Sequence, residues 1–146
     1  MKAICTYCSA KKDTASSFLP AIDRYRSARI EVVNKIALSK SRIFIILSGK
    51  FGLLESSWSI PYYDHLLDNE EITHHAQIVA QQLKDLKISE LDYYTRSPEL
   101  DCNIIPYFDC IKLATNQSKV SLVIHILPEY KFVKFTTYFN CRRGIH

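Results

Sequence analysis

Ile43-Phe44-Ile45-Ile46-Leu47 is an unbroken apolar run, the pattern of a central parallel strand covered on both faces. Ile4–Cys8 reads as a shorter buried strand and Leu91–Thr95 as another. Val120–Leu127, closed by Pro128, reads as a second strong buried strand. Between them the apolar spacing changes to that of helices. Ile22, Tyr25, Val32, Val33 and Ile36 fit one helical face, and Pro20 is tolerated in the first turn of such a helix. Ile72, Ala76, Val79, Leu83 and Leu86 step by four and three, with Asp68 or Asn69 able to cap the start. Ile104–Ala114 predicts a further helix with Pro106 near its beginning, and the alternation of Val133, Phe135, Thr137 and Phe139 a strand over 131–139. Residues 48–68 are left as a long connection, a length that in compact domains carries function or extra structure. Strands alternating with helices predict an α/β three-layer sandwich. Its mostly parallel sheet has four to five strands with helices on both faces, in a single domain over residues 1–146.

Glycine is scarce, and that narrows the chemistry. Only Gly49, Gly52 and Gly144 occur, which excludes both the phosphate-cradling and the dinucleotide-binding Gly-rich loops. Charge is unevenly spread: residues 1–53 carry ten Lys/Arg against three Asp/Glu, and residues 54–110 carry three against eleven. Such asymmetry suits an anionic ligand, nucleic acid included, although solvated helix faces produce it too. The five cysteines are odd in number and scattered, which fits reduced thiols better than a disulfide framework. The Cys5-x-x-Cys8 spacing has no second close Cys/His pair, so no metal site is expected. No apolar run reaches the roughly 18–20 residues of a membrane span, and the first residues read as a strand instead of a signal peptide. The expectation is a cytoplasmic protein with no membrane partner and no cofactor.

Ligands of open α/β sheets bind beyond the carboxyl ends of the strands. Those ends here are Cys8-Ser9-Ala10-Lys11-Lys12, Ser48-Gly49-Lys50-Phe51-Gly52, Thr95-Arg96-Ser97 and Glu129-Tyr130. The first two are rich in hydroxyl and ammonium groups, able to hold a phosphate, a carboxylate or a polar base edge. Cys8, Lys12, Ser48, Gly49 and Lys50 are therefore ligand-binding candidates. Tyr63 and Asp64 join them from the long connection, Tyr63 as a ligand contact and Asp64 as acid or base. Ser9 is a second catalytic candidate. His65 is placed in sequence to act as a base, against the plainer reading that it packs the loop.

Cys8-Ser9-x-x-Lys12, Pro20-Ala21 followed by Tyr25, Ile46-Leu47-Ser48-Gly49-Lys50-Phe51-Gly52-Leu53-Leu54 and Tyr63-Asp64 together resemble a bacterial and phage domain-of-unknown-function family. That family pairs a Cys-Ser-x-x-Lys start with a Leu-Ser-x-Lys-x-Gly-Leu block and a following Tyr-Asp. The second block is also similar to the YaaA-like peroxide-stress proteins, which are associated with DNA binding. The resemblance covers roughly residues 4–67. It implies an α/β nucleotide- or nucleic-acid-related fold and supplies no established reaction.

These observations lead to the expectation of a small, metal-independent enzyme acting on a nucleotide, a nucleobase or a modified nucleic-acid component. The alternatives are a noncatalytic nucleic-acid-binding domain and a protein-interaction module with a degenerate site.

Overall fold

The computed structural model describes residues 1–128; the strand expected over 131–139 and the strand end Glu129-Tyr130 lie outside them. In chain order the elements are β1 (Lys2–Tyr7), β2 (Leu19–Pro20), α1 (Ala21–Arg24), α2 (Ala28–Ser39), β3 (Ile43–Ser48), β4 (Gly52–Glu55), β5 (Ser59–Ile60), α3 (Ile72–Asp85), β6 (Glu90–Thr95), α4 (Ile105–Ser118) and β7 (Ser121–Ile126). The main sheet runs β4-β3-β1-β6-β7. β3, β1, β6 and β7 are parallel, and β4 folds back antiparallel on β3. This is the mostly parallel α/β sandwich the apolar pattern predicts. Right-handed crossovers put α2 on one face, because the chain steps from β1 outward to β3. They put α3 and α4 on the other, where the two helices pack against each other.

The apolar runs fill the middle of the sheet. Ala3, Ile4 and Cys5 of β1 and Ile45, Ile46 and Leu47 of β3 are fully buried, as strands covered on both faces require. Burial pushes the Cys5 thiol well above its ordinary value and that of Cys110 to about 12, which makes both inert. Cys5, Cys8 and Cys110 are free thiols.

Two departures and one addition concern local structure. The helix expected after Pro20 is two helices: α1 is a single turn, Tyr25 turns extended, and Ser27 starts α2 by accepting the Ile30 N–H at 3.2 Å. The connection 48–68 contains β4 and also β5, which pairs with β2 as a separate two-stranded ribbon. Gly52 makes the β3–β4 turn possible at φ 75°. A side chain there would also strike Gln82, which takes the Leu53 N–H at 2.7 Å and donates to the Phe51 carbonyl at 3.0 Å. β7, finally, is an edge strand whose Val123 and Ile126 are exposed, so the burial expected on both its faces is not what the described residues give.

Arg24 pins the irregular segment between β1 and α1. It has no exposed surface, and its guanidinium donates to the carbonyls of Asp13 at 2.7 Å, Ala15 at 2.9 Å, Ser17 at 2.5 Å and Ile60 at 3.3 Å. Three of those carbonyls lie in residues 13–17, outside the named strands and helices, so the planar fork stands in for a strand edge there. Arg24→Ala should cost about 3 kcal/mol or more in urea denaturation, because several acceptors lose their donor at once. Arg24→Lys should recover little of this, since one ammonium cannot reproduce the fork. A loss below about 1 kcal/mol for the alanine variant would show that the segment is held by something else.

Candidate functional site

The chain reverses its order across the sheet between β1 and β6, and open α/β sheets bind ligands in the crevice beyond such a switch point. A cleft of ≈ 420 Å³ lies there, within the size range of small-molecule sites. One wall is the end of β1, Tyr7 to Ala10 with Lys12, and the start of α2, Arg26 to Arg29. The other is Asp64-His65-Leu66 together with Arg96, Asp101, Asn103, Ile104 and Tyr107 from the β6–α4 region.

Arg29 forms the floor. It is 5% exposed and sits in the first turn of α2, so the helix directs it back across the end of β1. Its guanidinium donates to Thr6 Oγ1 at 2.6 Å, to the Tyr7 carbonyl at 2.6 Å and to the Cys8 carbonyl at 3.0 Å. It also lies 3.5 Å over the Tyr7 ring, a cation–π contact. Thr6 passes the chain on to the Tyr94 carbonyl of β6 at 2.7 Å. Every one of these acceptors is neutral, so the buried charge of Arg29 meets no carboxylate among the described residues. Elsewhere around the cleft, Arg26 pairs with Asp13 and Arg96 with Asp101.

Lys12 is aimed by aromatic rings. Its Nζ lies 4.7 Å from the Tyr63 ring centre and 5.9 Å from that of Tyr25. Beneath it runs a buried line of hydroxyls: Ser48 Oγ to Tyr63 Oη at 2.9 Å, and Tyr63 Oη to Tyr25 Oη at 2.5 Å. Ser48 Oγ already accepts the N–H groups of Lys50 at 3.1 Å and Phe51 at 3.0 Å. With both lone pairs used, its proton goes to Tyr63, and the Tyr63 proton then goes to Tyr25. Burial raises both phenols above their ordinary value, so the line stays neutral at physiological pH.

Of the residues singled out in the sequence, Cys8, Ser9, Lys12 and Asp64 come together on the cleft. Cys8 is buried, and its thiol points to the Tyr107 hydroxyl at 3.7 Å. Ser9 spends its hydroxyl on the Lys11 carbonyl at 2.7 Å. Asp64 is exposed on the opposite wall. Ser48, Gly49 and Tyr63 are not part of the lining but are buried against it. A side chain on Gly49 would meet the Tyr107 hydroxyl at 2.8 Å and the Leu67 nitrogen at 3.0 Å. Lys50 is exposed beside the Phe51 ring, outside the cleft. Sequence reasoning named Arg96 only as part of a strand end and did not single out Arg26, Arg29 or Tyr107. The available signal was three arginines within six positions around a helix-starting serine. Among the described residues, no group of three or more His, Cys, Asp and Glu side chains is placed to hold a metal ion. No helix among them is long and apolar enough to cross a membrane.

No protein-family model matches the chain, and no curated protein or solved structure does either.

Tyr63→Phe should destabilise by about 1–3 kcal/mol in urea denaturation, because the buried hydroxyl of Ser48 loses its acceptor and that of Tyr25 its donor. Tyr62→Phe, at an exposed neighbour, should stay within about 0.5 kcal/mol; equal effects would show that the hydroxyl line contributes nothing.

His75 adds a pH dependence. Its Nε2–H donates to the Ser48 carbonyl at 2.7 Å, and burial lowers its pKa below the ordinary 6.5. The unfolded chain then binds more protons below that value than the native one does. Stability conferred by neutral His75 is therefore complete above pH 6.5 and declines as pH falls toward the lower native value. His75→Gln keeps a donor but cannot titrate. Its denaturation free energy should fall less on acidification than that of the parent protein, and an identical decline in both would overturn the assignment.

Proposed function

We propose that this protein is a small enzyme acting on a nucleotide, a nucleobase or a modified nucleic-acid component bound in the switch-point cleft. The observation that carries the reading is Arg29: a buried cation at the floor of a cleft, hydrogen-bonded only to neutral oxygens. A desolvated charge of this kind is costly to hold and attracts an anionic group strongly. Lys12, fixed over Tyr63, adds a second cation at the rim. A phosphate or a comparable anion belongs against these two, and Ser9 offers a polar contact beside them. Asp64, on the far wall, is left to serve as acid or base toward the rest of the ligand. The motif resemblance to a nucleotide- or nucleic-acid-related family points the same way, on those residues alone.

Thermal-shift titrations with adenosine, guanosine, cytidine and uridine monophosphates, inorganic phosphate and short oligonucleotides test this. A ligand at a hundred times its Kd stabilises the native state by about 2.7 kcal/mol. At least one monophosphate should raise Tm in the parent protein, and Lys12→Ala should largely abolish the rise. Asp64→Ala should keep both the rise and a stability within about 0.5 kcal/mol of the parent, while losing any turnover of the bound nucleotide seen by chromatography. Absence of a shift with every compound would overturn the reading. Shifts confined to oligonucleotides and falling steeply with salt would replace it with a noncatalytic nucleic-acid binder.

A further inference from the structure

The same cleft holds a second ionisable pair that the proposed function leaves unused. His65 lines the wall beside Asp64. Its Nε2 stands 3.0 Å from Oε1 and 2.9 Å from Oε2 of Glu71. Glu71 is not a loose surface carboxylate. Its Oε1 also accepts the Asp68 N–H at 3.1 Å, as half of the capping box that starts the turn leading into α3. The carboxylate is thereby fixed to a helix start, and it fixes the ring in turn. Because both Glu71 oxygens only accept, Nε2 carries the proton and Nδ1 is the basic nitrogen. No hydrogen bond occupies Nδ1 among the described residues.

We infer that His65 is the proton acceptor of the cleft and Glu71 its positioning residue. This rests on the nucleotide reading and adds the group that starts the chemistry. The geometry is that of a base oriented by a carboxylate and facing a substrate space. One proton leaves an O–H of the bound nucleotide or of a water beside it and bonds to Nδ1. The electron pair stays on that oxygen, and the imidazolium so formed is held against the Glu71 carboxylate. Arg29 at the floor and Lys12 at the rim of the facing wall stabilise the negative charge that develops on the substrate.

The test uses the whole chain with the four ribonucleoside monophosphates. Mass spectrometry follows carbethoxylation of individual histidines by diethyl pyrocarbonate, with exposed His74 as the internal control. A bound monophosphate should slow modification of His65 about tenfold or more and leave His74 unchanged. For the nucleotide that is turned over, His65→Ala should lower kcat by about 10²–10⁴-fold. Glu71→Gln, which preserves the hydrogen bonds of the capping box, should lower kcat about tenfold at unchanged KM. A purely structural Glu71 would give a lower Tm with kcat intact, and that result would overturn its role. Turnover within about threefold of the parent in His65→Ala, or undiminished modification of His65 in the bound state, would overturn the base while leaving the nucleotide site standing. Binding without turnover by the parent protein would overturn it as well and reduce the cleft to a binding site. Failure of every monophosphate to bind would remove both proposals together.

Discussion

A parallel strand that ends inside a sheet leaves its last carbonyls without partners, and β1 ends at the centre of this one. The solution is Arg29. One guanidinium closes the Tyr7 and Cys8 carbonyls, reaches Thr6, and through it ties β1 to the Tyr94 carbonyl of β6. Because β1 and β6 are the strands between which the chain order reverses, this clamp lies against the crevice that opens beyond them. Water could have satisfied the same carbonyls at little cost. An arginine does so while keeping a full charge beneath the cleft, and that choice has a functional consequence. The desolvation of the guanidinium is met by folding and not by the binding event, so an incoming anion meets a preorganised cation.

Arg24 does the corresponding task for the loops. It gathers three carbonyls of residues 13–17 and one from Ile60, which brings the β2–β5 ribbon against the body and leads the chain through Tyr63 into Asp64. The two arginines stand on either side of the break between α1 and α2. That break is enforced from both ends: Lys12 and Tyr25 form an isolated antiparallel bridge, which needs Tyr25 extended, and Ser27 caps the N-terminus of α2.

The same clamps explain what the sequence disclosed and what it did not. The core strands were legible because a strand buried on both faces must be apolar throughout, as Ile43–Leu47 is, and α3 because its buried residues recur at helical spacing. The break at Tyr25 was not, since Ile22, Tyr25, Val32, Val33 and Ile36 satisfy a helical period on paper, and the competing bridge to Lys12 is a tertiary fact. Arg24 and Arg29 were hidden for a related reason. Arginine in an amphipathic pattern defaults to solvent, and only the carbonyls it meets in the fold reveal otherwise. Cys8, Ser9 and Lys12 face the cleft, whereas the Ser48 hydroxyl is consumed by the N–H groups of Lys50 and Phe51 and by Tyr63. A hydroxyl after a strand is drawn equally to a ligand and to the orphan donors of the next turn, and sequence alone does not rank the two.

The two walls of the cleft are therefore built on different physical terms. The β1–α2 wall is rigid and cationic, its charges positioned by buried carbonyls and aromatic rings. The opposite wall joins Arg96, Asp101, Asn103, Ile104 and Tyr107 of the β6–α4 region to the tail of a long connection, which is tied down where the capping box of Asp68 and Glu71 begins α3. His65 and Asp64 differ in that respect although they are adjacent. His65 is tied to the box through Glu71, while Asp64 is exposed with no ion pair to Lys50 or to any other cation among the described residues. A group that must meet a substrate proton at fixed geometry benefits from the first situation, because misplacement by about an ångström is costly to proton transfer. The difference in anchoring thus favours proton abstraction at His65, with the anion held opposite it by Arg29 and Lys12.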